Sequence, residues 1–203
     1  MNVAIVKYNA GNVQSVLYAL QRLGINAIVT DDHEKIMAAD KVIFPGVGNA
    51  SSAMQYLKER KLDQLIISLK QPVLGICLGL QLMCNYSEEG NTACLGLFDA
   101  SVKKFDESVF KDINLIPYKI PHMVWNTIYE LSSPLLKGID ENSYVYFVHS
   151  YYADLSSQTI ATTNYINPFS AAMQKDNFYG VQFHTEKSAA SGEKILSNFL
   201  NIV

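Results

Sequence analysis

Short apolar runs alternate with stretches of helical spacing through the first half of the chain. Val3 to Val6 is too short a run for a helix and is bounded by Asn9-Ala10-Gly11-Asn12, so a buried strand is expected. Val13, Val16, Leu17, Leu20 and Leu23 then recur at helical spacing, with Asn12 placed to cap the helix and Gly24 to stop it. Ile25 to Val29 reads as the next strand. Asp31 or Asp32 can cap a short helix over Ile36, Met37 and Ala38. Val42-Ile43-Phe44 is a third strand, broken by Pro45-Gly46. Ser51 or Ser52 opens a helix carrying Met54 and Leu57, and Leu62, Leu65, Ile66 and Leu69 mark another helical face. Val73 to Ile76 is a fourth strand, followed by a helix over Leu78 to Met83.

The second half is rich in Tyr, Phe, Val and Ile. Tyr144 to Tyr151, Thr159 to Thr163, Ser170 to Gln174 and Phe178 to Phe183 read as strands joined by short turns, and Ala189 to Ile202 closes the chain as a helix with Ile195, Leu196, Phe199 and Ile202 on one face. The pattern predicts an α/β fold: a mostly parallel central sheet, helices on both faces, and an antiparallel β extension from the C-terminal half. Such sheets bind ligands beyond the carboxyl ends of their strands. That singles out the turns after Tyr8, Phe44 and Ile76.

Composition narrows the class. A chain of 203 residues fits one domain, and 49% hydrophobic with 17% charged residues fits an ordinary globular core. A net charge of −3 argues against a nucleic-acid partner. Three cysteines make no disulfide framework in a chain this long. The N-terminus does not read as a signal peptide, and no apolar run reaches the roughly 18 residues that span a bilayer. A soluble, cytoplasmic protein without a membrane partner is expected.

The strongest local chemistry is Gly75-Ile76-Cys77-Leu78-Gly79, a G-x-nucleophile-x-G frame at a strand-to-helix junction. A sharp turn there pushes the Cys77 side chain out over the sheet edge. The following helix aims free N–H groups at it, which favours the reactive thiolate. Cys84 and Cys94 have no such frame and read as structural. A cysteine nucleophile needs a base. His184 ends a strand, and in an extended segment Glu186 points the same way and can orient its imidazole. His33 and His122 read as loop residues, while His149 ends a strand and can line the same cleft. Pro45-Gly46-Val47-Gly48 follows a central strand and can turn backbone N–H groups inward, with the N–H of Leu78 as the second donor of an oxyanion hole. No phosphate-binding G-x-x-x-x-G-K-[ST] loop occurs. No metal site or cofactor is expected.

These segments, with Pro121-His122-Met123-Val124-Trp125-Asn126, Phe147 to Tyr151 and Gly180 to Ser188, resemble the class I glutamine amidotransferases from end to end. The resemblance implies a flavodoxin-like fold in one domain over residues 1–203. It implies a glutaminase whose catalytic residues are Cys77, His184 and Glu186, with Val47 and Leu78 forming the oxyanion hole. By the same resemblance Gly46, Gly48, Gln81, Ser150 and Tyr151 hold the glutamine. Gln81 lies one helical turn past Cys77 on the same face. The PGVG loop, the PHMxWN segment and the lysine after the glutamate point to the histidine-biosynthesis branch. Its members pass ammonia to a TIM-barrel cyclase subunit that forms imidazole glycerol phosphate and AICAR. Asn12, Pro121, Trp125 and Lys187 match its partner-facing surface. Val124 stands where the family usually has Gly, Thr185 where it usually has Pro, and Asn9-Ala10 where a glycine or proline turn is commoner. The Val124 change predicts an altered interface loop. Competing readings are a glutaminase feeding a sugar amidotransferase, a partner-independent Cys-elbow hydrolase, and a non-catalytic binding module.

Overall fold

The computed structural model describes residues 1–9, 11–106, 108 and 119–202. In the first half β1 (Val3–Val6), α1 (Val13–Arg22), β2 (Ile28–Thr30), α2 (His33–Met37), β3 (Lys41–Gly46), α3 (Ala50–Glu59), α4 (Leu62–Ser68), β4 (Val73–Cys77) and α5 (Leu78–Met83) follow one another. Then come β5 (Cys84–Ser87), β6 (Thr92–Ala93), β7 (Phe98–Lys104), β8 (His122–Ile128), β9 (Ser143–His149), β10 (Tyr151–Ala153), β11 (Thr159–Tyr165), β12 (Asn167–Lys175) and β13 (Phe178–Val181), and helix α6 (Ala189–Asn201). Ala10, in the turn that departs from the family pattern, lies outside the described residues.

The main sheet has seven strands in the order β11-β12-β13-β4-β3-β1-β2. From β13 to β2 all neighbours are parallel, and β12 and β11 add an antiparallel ribbon. This is the expected α/β sheet. The extension differs in one respect: the remaining strands do not lengthen it but form two small separate sheets, β10-β7-β5-β6 and β8-β9. The reason shows in β8, which buries only its two end residues, His122 and Ile128. A strand so exposed belongs on the surface of a layered fold rather than within its central sheet.

Side-chain alternation divides the core. On β1, Val3 and Ile5 face the layer containing Val16 and Leu20 of α1 and Ile195, Leu196 and Phe199 of α6. Ala4 and Val6 face Met54 and Leu57 of α3, Leu62 and Ile66 of α4, and Leu80 of α5. Each fully buried side chain of this size contributes ~1.5–3 kcal/mol of transfer free energy.

Helix ends refine the sequence reading. Asp32 rather than Asp31 caps α2, accepting from the N–H of Glu34 at 2.9 Å and Lys35 at 3.2 Å. Asn49, not Ser51 or Ser52, caps α3 through the Ser52 N–H at 3.2 Å. Gly24 stops α1 with φ +76. Its N–H and that of Ile25 reach back to the carbonyls of Gln21 and Leu20, a Schellman closure. That closure ties Ile25 to the helix, so β2 begins only at Ile28.

His122, expected in a loop, is a fully buried member of β8 paired across the ribbon with His149. Tyr165 stacks on His122 at 3.8 Å and Phe147 at 4.7 Å between ring centroids. The His149 Nδ1–H donates to the carbonyl of Tyr151 at 2.7 Å, so its Nε2 is an acceptor and takes the His122 Nδ1–H at 2.9 Å. The Asn126 amide then faces His122 Nε2 at 3.3 Å. Every imidazole nitrogen is matched when both rings are neutral. Burial lowers the pKa of both histidines to about 3.

Two consequences can be measured. A Cβ on Gly79 would stand 1.8 Å from the Phe44 carbonyl oxygen, whereas one on Gly24 meets nothing within 4 Å. Gly79→Ala is expected to cost about 3 kcal/mol or more and Gly24→Ala ~1–2 kcal/mol, read from urea midpoints. The histidine pair gives a pH dependence. Unfolded histidine takes its proton near pH ~6.5, well above the folded pair, so the unfolded chain binds more protons as pH falls below that value. The pair's stabilisation is therefore complete above this pH and lost on acidification toward about 3. Between pH ~6.5 and ~5 each histidine adds up to ~1.4 kcal/mol per pH unit to the slope, and His122→Gln should remove one such share. Equal slopes for the two proteins would sink this account.

Candidate active site

Strand register sets the site. Gly46 of β3 lies opposite Cys77 of β4, and Val181 of β13 lies opposite Ile76. Gly46, Cys77 and the residues after Val181 therefore emerge side by side at the carboxyl edge, where parallel sheets bind ligands. Cys77 joins β4 to α5 with φ 53 and ψ −108, a conformation a non-glycine residue holds only under constraint. The constraint is visible. Gly79 lets α5 pass against Phe44, and Gly75 lets the same turn fold back on it, since a Cβ there would be 2.8 Å from main-chain atoms of Gly79 and Leu80. The expected elbow is present.

His184 follows β13. Its N–H is held by the Tyr146 carbonyl at 2.9 Å and its own carbonyl accepts the Ser188 hydroxyl at 2.6 Å. A 3-10 turn over Thr185–Lys187, rather than the extended segment expected, brings Glu186 back. Glu186 Oε1 accepts from His184 Nδ1 at 2.7 Å, and both side chains are almost wholly buried. Thr185, at the first position of this turn, is buried, and its hydroxyl has no hydrogen-bond partner among the described residues. Burial alone lowers the His184 pKa, but the nearby Cys77, with the hydrogen bond and charge of Glu186, outweighs it and raises it to about 10. The His184 Nε2 has no hydrogen-bond partner within the described residues, nor has Glu186 Oε2.

Asn12 occupies the expected N-cap of α1 but makes no capping bond, because its backbone is left-handed at φ 72 and ψ 10. Its amide instead donates to Glu186 Oε1. The residue matched to the partner surface is therefore a support for the His–Glu pair. Tyr8, which in the sequence has only a place in a motif, donates its hydroxyl to the Pro45 carbonyl at 2.6 Å. Its ring fills the space a Cβ on Gly46 would need. Burial, and then the nearby Cys77, push its phenol well above the ordinary tyrosine range.

A cleft of about 210 Å³ opens over Cys77. Val47, Gly48, Leu78, Gln81, Ser150 and Tyr151, all expected site residues, line it. Gly46 lies beneath, covered by Tyr8. Pro121, expected on the partner face, also reaches the cleft, and so does His149. The Val47 carbonyl is tied to the Gly11 N–H at 3.3 Å. Sequence reasoning misses Glu89, another lining residue, whose Oε2 accepts from the Ala50 N–H at 2.6 Å. Burial raises the pKa of this carboxyl. No motif marks Glu89, because it comes from the turn between β5 and β6 and is brought to the cleft only by folding. Cys84 and Cys94 are free thiols outside the cleft, their pKa values raised chiefly by burial, that of Cys94 to about 11. His33, expected in a loop, is the half-buried first residue of α2, its Nε2 3.0 Å from the Arg60 carbonyl.

Beside the cleft, Met123 (59% exposed), Trp125 (43%) and Tyr144 (60%) stand out from the β8-β9 ribbon. Trp125 and Tyr146 are edge to face at 5.9 Å, and the Lys187 ammonium lies 5.9 Å from the Tyr146 ring. Val124 pairs with Phe147 in regular strand and is not among the positive-φ residues, so the valine introduces no left-handed strain. Residue 124 therefore lies in a strand, not in a loop.

The family described as Glutamine amidotransferase class-I matches residues 4–203. The chain is 57% identical over 202 residues to the imidazole glycerol phosphate synthase subunit HisH of Bacteroides fragilis, covering 100% of both. It is 46% identical over 204 residues to the protein of the same name in Escherichia coli strain K12, again covering 100% of both. Among solved structures, a glutamine amidotransferase from Thermotoga maritima superposes with a TM-score of 0.61 at 16% identity, over 99% of this chain and 83% of that one. That likeness concerns the fold. The elbow cysteine, the buried His184–Glu186 pair and the full-length relatives agree: the chain belongs to the class-I glutamine amidotransferases, in the branch of the HisH subunits of imidazole glycerol phosphate synthase.

Proposed function

We propose that the chain is a glutaminase that hydrolyses glutamine to glutamate and ammonia and passes the ammonia to a TIM-barrel cyclase subunit in histidine biosynthesis. The reading places it in the cytoplasm, as one glutamine amidotransferase domain over residues 1–203. The observation that carries it is the Cys77 elbow beside a buried His184–Glu186 pair, at the floor of a cleft large enough for an amino acid.

His184 takes the Cys77 thiol proton, giving a thiolate–imidazolium pair as the reaction begins. The thiolate attacks the side-chain amide carbon of glutamine. The carbonyl oxygen becomes an oxyanion, stabilised by the N–H groups of Leu78 and Val47. Collapse expels ammonia as His184 Nε2 hands over its proton, leaving a thioester. Neutral His184 then takes a proton from water, the hydroxide adds to the thioester, and glutamate leaves as the thiolate returns. Glu186, steadied by Asn12, keeps the ring turned with Nε2 toward the cysteine. Gly46, Gly48, Gln81, Ser150 and Tyr151 hold the glutamine. Glu89 supplies the negative charge that its α-ammonium needs.

The cyclase docks on the exposed apolar ribbon beside the cleft, with Pro121, Trp125 and Lys187 at the contact. Trp and Met are favoured residues at interface centres. Asn12 links that side of the molecule to Glu186.

In the complex with the cyclase and its nucleotide ligand, glutamate release should rise well above that of the isolated chain. Cys77→Ala should lower it by ~10³-fold or more while leaving the melting temperature nearly unchanged. Full activity in Cys77→Ala would overturn the triad assignment. Glu89→Gln should raise the KM for glutamine roughly tenfold with little change in kcat, because a charge held equally in ground and transition states acts on binding alone. A fall in kcat at constant KM would place Glu89 elsewhere in the mechanism.

A further inference from the structure

Gln182 follows β13 directly and has no part in the mechanism above. Its side chain is fully buried, and it touches two parts of the site. One end of its amide lies 3.7 Å from Cys77 Sγ and the other 3.0 Å from the Gln81 amide nitrogen.

The orientation of both amides follows from one fixed point. The main-chain carbonyl of Tyr151 can only accept, so the Gln81 atom 2.8 Å from it is the donating nitrogen. The same nitrogen faces Gln182, so the Gln182 atom it meets is the acceptor Oε1. The Gln182 nitrogen is then left facing sulfur. Turning Gln182 over would set nitrogen against nitrogen on one side and oxygen against sulfur on the other.

We propose that Gln182 donates an amide N–H to the Cys77 sulfur, directing it into the cleft and stabilising it as the thiolate, with Gln81 as the clamp that fixes the direction of that donor. The inference rests on Cys77 being the nucleophile. The donor acts when negative charge sits on sulfur. That is the case when Cys77 attacks as the thiolate, and again when the C–S bond of the thioester breaks and sulfur takes back the electron pair. It assigns Gln81 a second duty beside holding glutamine, since the amide nitrogen of Gln81 is engaged on Tyr151 and Gln182. The other titratable groups about the sulfur are His184 after β13, Tyr8 after β1, His149 at the end of β9, and Glu89 across the cleft. None of them changes in the variants used below.

The test is alkylation of the full chain by iodoacetamide from pH ~5 to ~10, resolved by peptide mass spectrometry for Cys77, Cys84 and Cys94. Gln182→Met fills the space without a donor. Gln182→Glu keeps the shape and places an oxygen against sulfur. Relative to the unaltered chain, Gln182→Met should slow Cys77 alkylation at neutral pH roughly tenfold and move its rise to higher pH, and Gln182→Glu should do so further. Cys94 should react at its usual rate, which reports an intact fold. Superimposable Cys77 profiles in the three proteins would overturn the proposal. If Gln182→Met also exposes Cys84, the isosteric Gln182→Glu decides alone. A Cys77 that in the unaltered chain reacts no faster than Cys94 would instead refute the nucleophile assignment itself.

Discussion

The site depends on how closely α5 approaches the sheet. Gly79 lies so near the Phe44 carbonyl that no side chain fits between them, and that contact forces the chain to turn at Cys77. The turn costs backbone energy, because Cys77 must hold φ 53 without being glycine. Nothing local repays it. Packing of α5 against the β3–β4 floor does, through buried Leu78, Leu80, Leu82 and Met83. The reactive sulfur is therefore aimed by the core, and a change anywhere in that layer moves it.

The second requirement is charge compensation in a buried place. The His184 and Glu186 side chains, 1% and 0% exposed, need partners in a medium that screens poorly. They have each other, the Asn12 amide and the nearby cysteine. This explains why the α1 cap was given up. A capping bond would add about 1 kcal/mol to one helix, whereas a hydrogen bond to a charged group contributes ~1.5–3 kcal/mol. The histidine pair at His122 and His149 shows the opposite solution some residues away. There burial meets no counter-charge, and both rings stay neutral.

Much of this is legible in the chain. The strand-helix alternation, the elbow, the base with its orienting glutamate and the glycine loop all lie in contiguous segments, where spacing alone carries the geometry. What escapes lies between segments. Glu89 reaches the cleft from a turn that has no pattern of its own. Asn12 reads as a helix cap because its neighbours are helical, yet Glu186, 174 residues later, takes its amide. His122 reads as a loop residue because an exposed strand such as β8 lacks the apolar alternation that reveals strands. Gln182 sits in plain view inside a motif, but its role emerges only when β13 is placed beside β4.

The His122–His149 chain also ties the two functional faces together. Asn126 and His122 belong to the ribbon strand that carries Met123 and Trp125, while His149 ends on the Tyr151 carbonyl, which in turn accepts from Gln81. The two hydrogens on the Gln81 amide bind Tyr151 and Gln182, so one unbroken line of hydrogen bonds runs from the exposed ribbon to the Cys77 sulfur. Each link has a fixed direction, set at the single carbonyl where the two branches meet. The two imidazoles in that line are matched only when neutral, which burial without a counter-charge secures, so the core that buries them also sets the direction of every bond leading to Cys77.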